Sequence, residues 1–170
     1  MTGCHQTADS QSILDTFKAL DAKLDSISIH GQNESLGAFV GKIVIDSTLM
    51  DAINARKKIE SFITSAKVLL QNQPEGDSIF TNRFFLAKHN GEQLFSMIKS
   101  YQYRISTINM DGDTRHKINS IFSQLLNVPT SQSWSDSYFK NTPSVAALTM
   151  LNYFELNIKK VFILVNNGSK

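Results

Sequence analysis

Side chains able to do chemistry are sparse in this 170-residue sequence, and their spacing builds no familiar reaction centre. The four histidines are His5, His30, His89 and His116, and no two of them stand at the i, i+4 spacing that presents a metal-binding pair on a helix. Asp111, Gly112 and Asp113 form a fragment of a calcium loop, but the further oxygen ligands and closing glutamate of an EF-hand do not follow. Aspartate and glycine build turns readily, so the triplet reads as a helix-breaking turn. A di-iron bundle would need inward glutamates with a Glu-x-x-His motif, and the sequence has none. Nor is there a Gly-x-Ser-x-Gly elbow or a phosphate-cradling glycine loop. Glu155 falls on or beside an apolar helical seam, where a lone carboxylate is more often held by a partner than used as an acid. The sequence therefore assigns no catalytic residue, no metal ligand and no cofactor-binding residue, and it predicts a protein that acts by binding.

Two other positions bear on binding. Of the aromatic residues, Phe17, Phe62, Phe122 and Phe162 fall on helical seams, where burial contributes about 1.5 to 3 kcal/mol each. Trp134 and Phe139 sit beside a polar loop, so they are either core residues or exposed partner-binding anchors of the kind that interfaces favour. Cys4 is the only cysteine, which rules out an internal disulfide. It follows Thr2 and Gly3, and a small pair before Cys resembles the end of a bacterial lipoprotein signal, in which the cysteine is lipidated. The apolar run that precedes such a site is missing from the sequence, and the competing reading is a free thiol in a frayed terminus.

The elements that position these residues are helical. Hydrophobic residues make up 41% and charged residues 19%, as expected for one globular domain that buries its own core. With 17 basic and 15 acidic residues scattered along the chain, there is no concentrated basic face for nucleic acid. No stretch reaches the roughly 20 apolar residues of a membrane helix. Ile13, Phe17, Leu20, Leu24 and Ile27 alternate at spacings of four and three, predicting a first helix over about 10–30. The glycine-interrupted stretch 32–46 has mixed character. Thr48 and Asp51 match a capping box, and Ile53, Ile59, Phe62, Ile63, Ala66, Leu69 and Leu70 then form an apolar stripe, with Arg56, Lys57, Glu60 and Lys67 opposite. That helix should end before Pro74.

Residues 78–88 carry Ile79, Phe80, Phe84, Phe85 and Leu86 without clear period and read as a β-like loop packed on the bundle. Beyond the Asn90–Gly91 turn signal, Leu94, Ile98, Tyr101, Ile105 and Ile108 predict a helix to about residue 109. Another starts near Thr114, carries Ile118, Ile121, Phe122 and Leu125, and stops before Pro129. Ser133 and Asp136 allow a short capped helix holding Trp134, Tyr138 and Phe139. Thr142 as cap and Pro143 at the first helical position start a last helix, whose seam of Val145, Leu148, Leu151, Ile158, Phe162 and Val165 runs to about residue 166. The expectation is an all-α antiparallel helical bundle of four to five long helices with short connecting helices, spanning residues 10–167 behind a flexible tether at 1–9.

Several of these segments also resemble a family. Trp134, Phe139, Pro143, Ala146, Ala147, Leu148 and Leu151, within SWSDSYFKNTPSVAALTMLNYFELNIKK, resemble the closing segment of the helical periplasmic domain of the GldM and PorM family. HNGEQLFSMIKSYQYRIS, with Gly91, Leu94, Ile98 and Tyr101, is similar to that domain's preceding long helix, and ILDTFKALDAKLDSIS to the segment after the family's membrane helix. The resemblance implies an envelope component of the type IX secretion and gliding-motility machinery, whose periplasmic part is a dimer continuing into immunoglobulin-like domains. This sequence carries neither those domains nor the membrane helix, so a lipid on Cys4 would be its only membrane attachment. The expected function is a non-catalytic scaffold in the periplasm or on the membrane of a Gram-negative cell envelope, with protein partners, a second copy of itself in a homodimer among them, and without cofactors or nucleic acid. The competing expectation is a small-ligand-binding helical sensor.

Overall fold

The structure is a computed structural model in which residues 47–168 are described. The first predicted helix at 10–30, the stretch 32–46 and the tether carrying Cys4 all lie outside the described residues.

Four long helices make up most of the described fold: α1 (Ser47–Gln71), α3 (Asn90–Ser106), α4 (Gly112–Leu126) and α6 (Ser144–Gly168). Two short ones, α2 (Ile79–Thr81) and α5 (Trp134–Phe139), lie between them. The all-α bundle is as the periodicity predicts, and the described residues contain no strand. α1 packs against both α3 and α6, and α4 packs against α6 and α3. Each sequential pair of long helices runs antiparallel. Asp51 at the start of α1 meets Arg104 at the end of α3, at 3.1 Å. Lys67 late in α1 meets Glu155 midway along α6, while Arg56, earlier in α1, stacks on Phe162 further along α6, so α1 and α6 also run antiparallel.

Burial follows the seams. Ile59, Ile63 and Leu70 of α1, Leu94, Ile98 and Tyr101 of α3, and Phe122 and Leu125 of α4 are enclosed with Leu151, Phe154, Ile158, Val161 and Val165 of α6. Because α6 is buried around most of its circumference, it is the central helix, consistent with the long apolar run of its sequence. One assignment on the α1 stripe fails: Leu69 is 44% exposed, since it stands about 100° around the helix from Leu70.

Residues 78–88 are helical, not β-like. α2 continues directly into a π-helical turn over Asn82–Ala87, closed by Lys88 N–H donating to Arg83 O at 3.1 Å. The extra residue in the turn explains the lost period: it brings Phe80, Phe84 and Phe85 together, with Phe80 stacked on Phe84 and Phe85 edge-on to Phe84. His89, in the left-handed region at φ 57°, turns the chain into α3.

The helix starts show both agreement and correction. Ser133 Oγ accepts from Asp136 N–H, so the short capped helix is as predicted, whereas Asp111 Oδ1 accepts from Thr114 N–H and caps a helix that already begins at Gly112, two residues before the predicted start. The cap of α6 differs. Thr142 Oγ1 donates to Tyr138 O, and Pro143 precedes the helix, its carbonyl accepting from Ala147 N–H. The first amides of α6 are satisfied from the loop after α1: Ser144 N–H donates to Asp77 O and Val145 N–H to Glu75 O. A tertiary contact thus replaces the local side-chain cap.

Candidate functional site

Trp134 and Phe139 are core residues, the first of the two readings the sequence leaves open. They are 3% and 0% exposed. The capped turn of α5 directs both inward: Phe139 stacks on Phe85 with ring centroids 3.8 Å apart, and Trp134 lies 5.2 Å from Phe154. The indole N–H donates to Leu125 O at 2.8 Å, which satisfies its single polar atom inside the core. α5 can sit so close to α3 because Gly91 faces it; a Cβ there would come 2.5 Å from Ser135 Oγ.

What the sequence places apart, the fold joins in a charged seam between α1 and α6. Glu155 is 7% exposed and accepts from two ammonium groups, Lys67 Nζ at 2.6 Å and Lys159 Nζ at 2.8 Å. Burial alone would push its carboxyl up, but the hydrogen bonds from Lys159 and Lys67 prevail and hold it below the usual carboxylate range. Toward the start of α1, Arg56 Nη1 stands 3.6 Å from Glu60 Oε1, and its guanidinium lies over the Phe162 ring, 3.9 Å from the centroid. Burial raises the Glu60 carboxyl, only partly countered by Arg56 and Lys159. The hydroxyl of Tyr101, on α3, is pushed well up by burial.

The partnered reading of Glu155 is the observed one. Lys67 was assigned to the polar face of α1, yet it is buried, because it follows Ala66 and precedes Leu70 by three residues within the buried arc. A signal existed in the sequence: Glu155 is the only acid in α6 and falls on or beside its apolar seam, where a buried carboxylate requires a cation. Two tethered ammoniums around one carboxylate hold helices in register. The arrangement contains no nucleophile beside a base.

Among the described residues no three His, Cys, Asp or Glu side chains are grouped to hold a metal ion. No described helix is long and apolar enough to cross a membrane. A cleft of about 220 Å³ opens between α1 and α3, lined by Asp51, Asn54, Lys58, Met97, Ser100 and Arg104.

A family model described as the GldM N-terminal domain matches residues 56–162, which runs from within α1 to within α6 and takes in every described element between them. A search of curated proteins finds no match.

Proposed function

The chain belongs to the GldM family, through its N-terminal domain, and from that premise we propose that it is a non-catalytic helical interaction module of a bacterial cell envelope, acting with protein partners in gliding motility or type IX secretion. The observation that carries this reading is the family match across nearly two thirds of the chain, in register with the four described long helices. The geometry agrees with it. Lys67, Lys159 and Glu155 in the α1–α6 seam are spent on one another, as in a scaffold whose interior fixes helix register.

Attachment belongs to the same reading. On this proposal Cys4 carries a lipid, and the five residues from His5 to Asp9 that follow it reach at most about 18 Å when extended. Acyl chains at about 0.8 kcal/mol per buried methylene make that attachment stable. The cleft between α1 and α3 is smaller than the roughly 300 to 1,000 Å³ of small-molecule sites, so it does not favour a ligand sensor.

Deletion of the gene in its native host, with complementation, tests the role: loss of spreading or of secreted cargo is expected, and normal gliding and secretion in the deletion strain reject it. Expression with the native upstream sequence tests the anchor. Membrane fractionation and labelled fatty-acid incorporation should both vanish in Cys4→Ser, and a soluble, unlabelled native product removes the anchor. Light scattering should report a homodimer, and a monomer at high concentration removes that part alone.

A further inference from the structure

Three buried polar atoms near the middle of the bundle find no hydrogen-bond partner among the described residues: Tyr101 Oη, Glu60 Oε1 and Arg56 Nε. Tyr101 is fully enclosed, so its hydroxyl has no route to bulk water by a change of rotamer at the surface. The Asp51–Arg104 pair sets α3 antiparallel on α1, so that Tyr101, about one turn before Arg104, faces the part of α1 that carries Arg56 and Glu60, and both charges act on its hydroxyl. Arg56 and Glu60 also stop just short of each other, at 3.6 Å, which is beyond a direct hydrogen bond. Arg56 is held there from its other side by the Phe162 ring.

Buried donors and acceptors in native proteins are almost always paired, and where protein groups fall short an ordered water completes the set, typically with about three hydrogen bonds. The chemistry here matches that requirement. Arg56 Nε–H is a donor, the Tyr101 hydroxyl can donate, and Glu60 Oε1 accepts, so the missing species accepts two hydrogen bonds and donates one.

We propose that the bundle core binds a single water molecule here, accepting from Arg56 Nε–H and Tyr101 Oη–H and donating to Glu60 Oε1. The water joins polar atoms of α1 to the Tyr101 hydroxyl of α3, two helices already packed on each other. It also specifies register, because a one-residue slip of either helix carries its polar atoms about 100° away from the shared point. This site stands independently of the envelope assignment.

Crystals of the full chain that resolve ordered solvent, together with the folding equilibrium of Tyr101→Phe, test it. A water within about 2.6 to 3.2 Å of all three atoms is expected. Tyr101→Phe should lower the folding equilibrium constant about 3- to 10-fold, since it deletes one hydrogen bond of the set. A position without water, a direct Tyr101–Glu60 hydrogen bond, or a Tyr101→Phe variant more stable than the parent each overturns the proposal. The last is the outcome for a hydroxyl that is simply unsatisfied.

Discussion

Replacing Glu155 by Ala removes the acceptor shared by two ammonium groups, and the size of the effect follows from the seam. At 2.6 and 2.8 Å, each pair has a gross attraction of about 6 kcal/mol at an effective dielectric of about 20. Desolvation offsets most of that, since the side chains of Lys67 and Lys159 are only 11% and 12% exposed. Removing one partner of a buried pair costs about 3 to 5 kcal/mol, because the other charge stays behind. Both lysines have additional interactions, and Lys159, four residues along the same helix, has a short path to solvent, so the low end, about 3 kcal/mol, is expected. The assay is urea unfolding followed by far-ultraviolet circular dichroism, with the change read at constant slope. Glu155→Leu combined with Lys67→Met should recover much of the loss, as apolar replacements of buried pairs commonly do. A Glu155→Ala effect below about 0.5 kcal/mol, the range of surface sites, refutes the buried seam.

The two seam carboxylates should give opposite pH signatures. Glu155 titrates below its ordinary value, so its contribution is full above about pH 4.3 and is lost as pH falls through the lower folded value. Glu60 titrates above it, so its contribution is present below about pH 4.3 and is lost as pH rises through the folded value. Glu155→Gln should therefore flatten the acid limb of stability, while Glu60→Gln should gain at pH 7, and equal profiles would reject both assignments. Leu151→Ala, at a fully enclosed position of α6, should cost about 2 to 5 kcal/mol by denaturant titration. Gly91→Ala should cost about 1 to 3 kcal/mol, because its Cβ meets both Ser135 Oγ and, at 3.1 Å, the Phe85 carbonyl; unchanged thermal unfolding would show that α5 is not held against α3 there.

The sequence alone settles the helices and their buried sides where the apolar period is unbroken. Leu94, Ile98, Tyr101 and Ile105 on α3, and Leu151, Ile158 and Val165 on α6, are core residues as their spacing demands, because a helix presents every third or fourth side chain to one partner. The local cap at Ser133 was equally legible, since donor and acceptor lie three residues apart. The family could be read as well, carried by the segments around Tyr101 and Leu148. The tertiary structure decided what depends on residues distant in the chain. Periodicity gives no partner for Lys67, and the carboxylate that offsets the burial of its charge, Glu155, lies 88 residues away. The amides opening α6 take their acceptors from Asp77 and Glu75, which no local pattern announces. Trp134 is turned inward by the packing of α5 on the bundle, and the π-turn over Asn82–Ala87 exists because one extra residue lets consecutive phenylalanines share the core. Helical period is a property of neighbouring residues, whereas the pairing of buried charge is a property of the surfaces that folding brings together.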